Sequence, residues 1–416
     1  MKVGIIGGGA AGLTTAWLLD QECEVILFEQ NKRLGGHAHT IFVQKNDESI
    51  PIEIGFEFFN AWLFPQFIRL LEALKVPINS FPLTYCFHTK KDRLILSSSD
   101  PNKLLKQLFN PSVLMTLLQF NYVLYRGKKF VKKRDFSITI EQFADALFLR
   151  QGFKDFFLYP FLTAGWGCRV DEFKFFSAYD ILSWITKKPV SLKPQNWFEI
   201  VGGNSIYLEA LVKELTKTSI KTESTIISLA VESGKYVILE KDGGRTIVDH
   251  VVIATDPQQA ALLLKDVIFC EDIYKKLLYF ESFPATVAVH GDQRFMPKQR
   301  ADWSVANVYY DGFQSALTVY KPWKSQQGLP IFRSWLIENN AKIPENLYAL
   351  EHFNHQKVTP RYFEAQHYLK SGLGGNNLWL AGSYMDNLDS HESAVASAIH
   401  IAQKLVPHSD RLRQLI

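Results

Sequence analysis

The residues whose types and spacing can do chemistry stand at the start of the chain. Gly7-Gly8-Gly9-Ala10-Ala11-Gly12 follows a short apolar run, Lys2 to Ile6, and leads into a stretch carrying apolar Leu13, Ala16, Trp17 and Leu19. A second apolar run, Glu24 to Phe28, ends at the acid Glu29, 22 positions after Gly7. Strand, G-x-G-x-x-G turn, helix, strand and an acid ~20 positions on make up the dinucleotide fingerprint. In this reading Gly7 permits the tight turn, Gly9 lets the backbone approach a pyrophosphate, and Gly12 lets the helix pack on the sheet. The phosphates lie at the positive end of the helix, and Glu29 accepts hydrogen bonds from ribose hydroxyls. A lone glycine pattern also fits an ordinary turn. Here the flanking strands, the helix and the acid supply the context that the fingerprint requires.

A second glycine pair follows at once, in Asn31-Lys32-Arg33-Leu34-Gly35-Gly36-His37. A plain nicotinamide site has no use for it. These glycines let backbone amides approach the cofactor a second time, and Arg33 offers charge to a phosphate. With these residues in view, E-x-x-x-R-x-G-G resembles the FAD-binding signature of the flavin-containing amine oxidase and phytoene desaturase superfamily. The block Ile52-Glu53-Ile54-Gly55-Phe56-Glu57-Phe58-Phe59-Asn60, followed by Phe64-Pro65, is similar to the branch of predicted NAD/FAD-binding proteins that in some plants is fused to a cyclopropane fatty acid synthase. That branch usually has Asp where this chain has Glu53. The resemblance implies an FAD held without a covalent bond, with the Gly55-Phe56 backbone running along the flavin. His37 and His391 are the histidines it places nearest the ring or the ribityl chain.

The chain that must position these groups has 416 residues, long enough for two domains. Its apolar content of 47% and charged content of 21% describe an ordinary folded protein, and a net charge of +4 gives no reason to expect nucleic acid. Thirty-one Phe, sixteen Tyr and nine Trp suit a lipophilic pocket. Cys23, Cys86, Cys168 and Cys270 form no C-x-x-C pair and read as reduced thiols of a cytoplasmic protein without a leader. No apolar run reaches the ~18 residues that span a membrane. The histidines show no ligand spacing, so no metal is expected.

The expected fold is α/β: a Rossmann-like FAD-binding domain of the glutathione-reductase and amine oxidase type, with an interleaved α+β substrate domain. The FAD domain takes residues 1–61, 200–267 and 371–416; the substrate domain takes 62–199 and 268–370. Helical patterns such as Phe67 to Leu74 and Ile140 to Phe148 open the substrate domain. Thr225 to Leu229, Tyr236 to Glu240 and Arg245 to Val248 alternate as strands, with a hairpin at Asp242-Gly243-Gly244, and His250 to Ile253 reads as a buried strand. In the superfamily this meander lies over the adenine. The resemblance therefore assigns an adenine-reading amide near Ile226 and a cofactor-facing strand end at Thr255.

Phe161 to Cys168 resembles a family segment beside the substrate cavity, where the family usually has Ser in place of Gly167. Tyr309, Tyr320 and Trp323 are the aromatics that a strand-spaced cage draws on, with Tyr309 and Tyr320 as candidate catalytic residues, although such aromatics more often belong to a core. Near the C-terminus, Ala381-Gly382-Ser383 ends a buried strand, and Ser390 is the expected N-cap of a helix reaching Leu405. This pair resembles the superfamily's second FAD motif. The resemblance implies contacts from Gly382 and Ser383 to the ribityl phosphate, and from the helix N-terminus at Glu392 and Ser393 to the flavin, where the dipole favours negative charge. The family's Asp-Gly or Gly-Ala after the acid is here Ser393-Ala394.

Leu104 to Tyr125 is largely apolar and runs into the basic Arg126 to Arg134. This suits peripheral contact of residues 104–134 with the anionic inner face of a membrane. A core helix followed by a solvated charged loop explains the same residues and is preferred at this stage. The function expected from the sequence is FAD-dependent hydride removal, by an oxidase, dehydrogenase or desaturase, from a small lipophilic and fatty-acyl-like substrate. Amine oxidation, double-bond isomerisation and a non-catalytic flavin-binding module are the alternatives. Amine oxidation ranks lower because the C-terminal W-x-x-G-Y-M-E-G-A block is missing. The oligomeric state leaves no mark in the sequence.

Overall fold

A computed structural model describes residues 1–90, 96–99, 101–187, 196–337 and 343–416. Its centre is a five-stranded parallel sheet in the order Leu378–Leu380, His250–Ile253, Lys2–Ile6, Glu24–Phe28, Ser219–Lys221. Val3, Ile5, Val25, Leu27, Val251, Val252 and Ile253 have no measurable exposure, as apolar strands covered on both faces must. On one face lie the helices Ala10–Leu19 and His391–Leu405, which pack on each other. On the other lies the antiparallel meander Ile226–Glu232, Lys235–Glu240, Arg245–Val248, with its hairpin where the Asp-Gly-Gly turn was expected.

A second sheet of seven strands runs in the order Leu347–Gln356, Ser282–His290, Phe332–Leu336, Ser315–Tyr320, Ala306–Tyr310, Tyr85–Thr89, Leu96–Ser97. Tyr85–Thr89 pairs in parallel with Ala306–Tyr310, so strands from both segments assigned to the substrate domain share one sheet. Helices from residues 111–186 pack against it, including Ile140–Asp145, which Thr139 and Gln142 start with a capping box.

The helix Pro111–Lys133 departs from the preferred sequence reading. Its last turns contain the basic run that was expected to be a loop, and Val113, Val123 and Gly127 are its only fully buried residues. It is a long surface helix rather than a core helix.

Candidate functional site

The carboxyl ends of the central strands converge on one edge. Gly7 N donates to Phe28 O, Ala254 N to Ile6 O, and Ala381 N to Ile253 O, so the turns after four neighbouring strands lie side by side. This is the edge at which open parallel sheets bind ligands. Gly7 has φ +110°, and a Cβ there would stand 2.7 Å from Ala254 O; a Cβ on Gly12 would stand 1.9 Å from Gly7 O. Both glycines are therefore demanded by the fold. Gly9 differs: its Cβ would meet nothing nearer than Gly36 Cα at 4.0 Å. No side chain caps the helix that follows Gly9, so the N–H groups of its first turn (Ala10, Ala11, Gly12) keep their anion-binding capacity.

The second glycine pair closes over the first. Gly35 N donates to Gly8 O at 2.8 Å, and Gly35 and Gly36 both have positive φ. Arg33 shapes this loop: Nη1 donates to Leu34 O and Ala38 O, and Nη2 to Gly36 O. Its hydrogen bonds thus go to loop carbonyls, and its charge sits at the rim. Glu29 accepts from Gly8 N (2.8 Å) and from Asn31 N and Nδ2 (2.9 Å each). Ser224 N donates to Glu29 O, which brings the start of the meander at Ile226 beside that carboxylate. Thr255 follows Ala254 at the edge, its hydroxyl turned to Asp256 O.

The segment Glu53 to Glu57 approaches from the other side. A Cβ on Gly55 would stand 1.9 Å from His37 O, and Phe56 N donates to that carbonyl at 3.2 Å. The Phe56 ring stacks on His391 with centroids 4.2 Å apart and planes 6° apart. Tyr207 Oη meets His391 Nε2 at 3.0 Å. Burial drives His391 down to about 3, so the ring is neutral. His37 keeps open surface and stacks on Phe353.

At the C-terminal motif, Gly382 has φ +153° with Tyr384 packed against its Cα, and its N–H donates to Ser397 Oγ. Ser383 follows it at the same edge. Ser390 caps the helix by accepting from Ser393 N, and Ser393 Oγ donates to Leu388 O. Glu392 accepts from Gln66 N and Phe67 N, both at 2.9 Å, and so caps the helix Pro65–Ala73. The side chains of Glu392 and Ser393 are thus engaged by protein. What this helix end offers a cofactor is its backbone.

Tyr309 and Tyr320 require a correction. In the register of the seven-stranded sheet, both belong to the face that carries Thr318 and Ser334. The opposite face carries Arg333 and Trp335, and it is this face that meets the Ile54-Gly55 backbone, where Arg333 Nη2 donates to both carbonyls. Tyr320 packs in a small core with Trp303 and Phe332, and Tyr309 lies beside His88. Trp323 donates its Nε1 to Glu199 Oε1 at 2.7 Å. These three aromatics form no cage in this structure. Period-two alternation identified the strands without telling which face would meet the segment at 54–55.

Instead the structure brings Arg333, Trp335 and His355 to the site. Trp335 lies 5.0 Å from the His355 ring, and His355 lies 6.1 Å from His37. Burial, with His37 and Arg333 adding to it, lowers His355 to about 3. Beyond Arg333 lies a buried ionic group. Lys321 Nζ is 3.0 Å from Glu199 and 3.4 Å from Glu57, Lys324 Nζ is 3.2 Å from Glu199, and Arg333 Nε is 3.8 Å from Glu57. Burial alone presses Lys321 down, but Glu57 and Glu199 outweigh it and raise its pKa. Burial lowers both Lys324 and Arg333, and raises the nearby Glu53 to about 7. A pocket opens onto Glu57, Lys321, Lys324 and Arg333, with Ile50, Ile52, Val319, Leu329 and Ile331 as apolar walls. No sequence motif announced this group, since its members lie far apart in the chain.

The fold and this edge define a nucleotide-binding protein with two motifs at opposite ends of the chain. A family model described as flavin containing amine oxidoreductase matches residues 10–290, and the protein belongs to that family. Three solved structures are similar over nearly the whole chain. One is a single-site putrescine oxidase variant redesigned in cofactor binding (11% identity, TM-score 0.71, 98% of this chain and 99% of that one). The second is cyclohexylamine oxidase from Brevibacterium oxydans (14%, 0.69, 97% and 99%). The third is a CLA-producing fatty acid isomerase from P. acnes (14%, 0.67, 97% and 98%). At such identities the likeness shows the fold alone. A comparison with curated proteins finds no match.

The cofactor is a flavin. The space before Gly9 that a Cβ would fill, the uncapped helix amides beside it and the accessible Gly36 opposite fit a flavin nucleotide. Among the described residues, no three His, Cys, Asp or Glu are grouped to hold a metal, and all four cysteines are free and buried.

Proposed function

We propose that the protein is an FAD-dependent oxidoreductase acting on a lipophilic, fatty-acyl-like acid, with FAD bound non-covalently. Gly7 to Gly12, Gly35 and Gly36 would hold the pyrophosphate, Glu29 the adenosine ribose, the chain near Ile226 the adenine, and Gly55-Phe56, Gly382 and Ser383 the flavin end. When bound, the flavin supplies hydride acceptance from a substrate C–H bond. The neutral rings of His355 and His391 and those of Phe56 and Trp335 would line the space beside it, which suits a hydrocarbon chain.

The observation that carries the substrate class is the unsatisfied Nε of Arg333. Lys321, Lys324 and Arg333 lie against Glu57 and Glu199, with Glu53 nearby, and Arg333 Nε is buried without a hydrogen bond. A buried guanidinium N–H lacking an acceptor is costly. A substrate carboxylate would supply that acceptor, with the isoleucines, valine and leucine beside it as apolar neighbours. The branch resemblance to proteins fused with a fatty-acid-modifying enzyme points the same way by analogy. Amine oxidation is the second reading, favoured by the family. Against it, the carboxylates that would hold a substrate ammonium, Glu57 and Glu199, already hold that of Lys321.

The test is anaerobic mixing of the purified flavoprotein with fatty acids, their methyl esters, polyamines and aryl amines, followed at the long-wavelength flavin band. Bleaching by acids and weaker bleaching by esters is expected. Arg333→Met and Lys324→Met should raise KM for acids about tenfold, the worth of one charged hydrogen bond, and leave the esters unchanged. Bleaching by amines alone overturns the proposal in favour of amine oxidation. Retained flavin with no bleaching by any compound overturns it in favour of the isomerase or the non-catalytic module.

A further inference from the structure

The helix Pro111–Lys133 presents to solvent a single ridge that changes character along its length. Leu114, Leu118, Tyr122, Tyr125, Lys129 and Lys133 follow at spacings of three or four and so share one face. All six are exposed, Leu118 by 56% and Tyr125 by 58%. Val113, Val123 and Gly127, the buried positions, lie on the opposite face. The ridge is therefore apolar in its first two-thirds and basic in its last third, where Arg126, Lys128, Lys132 and Arg134 are exposed as well.

The apolar end is not confined to one helix. Phe109, just before the helix, is 88% exposed. Arg150 N donates to Gln119 Oε1, which brings the segment carrying Phe148 (96% exposed) beside the same helix. Phe156 (61% exposed) precedes Phe157, whose ring packs on Phe120. Large aromatic side chains are thus left in water on three stretches around this helix. The described residues contain no helix long and apolar enough to cross a membrane, so these side chains call for a surface rather than a span.

We propose that this face docks peripherally on an anionic lipid surface. Phe109, Leu114 and Leu118 enter the headgroup–acyl boundary, and Lys128, Lys129, Lys132 and Lys133 lie among the phosphates. Apolar burial and electrostatic attraction then act together, as stable peripheral binding requires. The charge on the ridge selects a lipid occupant over a second copy of this chain, whose matching face would carry the same positive charge. This inference is independent of the substrate reading, because it rests on residues outside the flavin edge.

Co-sedimentation of the flavin-loaded full chain with vesicles, with and without phosphatidylglycerol, tests it. Binding to the anionic vesicles that weakens as salt rises is expected. Replacing Lys128, Lys129, Lys132 and Lys133 by Gln should weaken binding at least about tenfold. Phe109→Ser combined with Leu118→Ser should abolish it, with the melting temperature and flavin content of both variants unchanged. Protein left in the supernatant with both vesicle types overturns the proposal, as does binding that neither variant alters. Concentration-dependent dimerisation that Leu118→Ser removes, without vesicle binding, overturns it in favour of a second copy.

Discussion

Gly167 lies with its Cα against the indole of Trp335: a Cβ there would come within 2.7 Å of Cε3 and 2.8 Å of Cδ2. Its φ of +69° is a second reason for glycine. The serine that resembling proteins carry at this place has no room here, because Trp335 fills the space beside Arg333 and His355. Gly167→Ser should destabilise the chain by roughly 1–3 kcal/mol through strain and overpacking. It should also alter flavin fluorescence by displacing Trp335. Thermal unfolding and steady-state fluorescence check both; an unchanged melting temperature would refute the packing argument.

The glycines of the first turn separate ligand space from fold space. Gly9→Val places its side chain where only Gly36 Cα lies near. The purified variant should fold and lose its yellow colour. Gly12→Val instead drives a side chain into Gly7 O, 1.9 Å from the Cβ position, and should yield little folded protein. Flavin absorbance and circular dichroism of the two variants distinguish the roles. Retained flavin in Gly9→Val would displace the pyrophosphate from this turn.

What the sequence made legible follows from range. The turn at Gly7 to Gly12, the acid at Glu29 and the strand ends at Thr255 and Gly382 are local patterns whose physics is complete within about thirty residues. The face of a strand is not local. Tyr309 and Tyr320 differ from Arg333 and Trp335 only in which side of the sheet meets the segment at 54–55, and that is fixed by pairings far along the chain. Glu392 read as a cofactor contact because its neighbours match a motif; its carboxylate is used 325 residues away.

Asp20 is another acid that the sequence left unremarked. It ends the first helix and accepts from Thr216 N and Oγ1, Lys217 N, and Thr218 N and Oγ1. Burial acts to raise its pKa, but these donors outweigh burial and lower it to about 2. The folded value is below the unfolded one, so the stabilisation is present above pH ~4 and is lost as pH falls toward 2. Asp20→Asn should cost about 2 kcal/mol at neutral pH. The gap between variant and wild type should narrow below pH ~4 and close only below pH ~2. Denaturant midpoints against pH measure this; a gap that persists in acid would show that the loss is geometric rather than ionic.

Glu392 has the opposite sign. Burial raises its carboxyl to about 7 although Phe67 N and Gln66 N both donate to it. A folded value above the unfolded one means that ionisation opposes folding, so stability falls as pH rises from ~4.5 through 7 and levels off above. Glu392→Gln removes this titration while keeping one acceptor for the helix Pro65–Ala73. Relative to the variant, wild type should therefore gain roughly 1–3 kcal/mol between pH 8 and pH 5. Glu392→Ala leaves both helix amides uncapped and should be destabilised at every pH by roughly 1–2 kcal/mol. Since that helix carries Phe67, whose ring meets His391 edge-on at 4.6 Å, the Ala variant should also bind flavin more weakly. Equal pH profiles for wild type and Glu392→Gln would mean that burial does not raise this carboxyl's pKa.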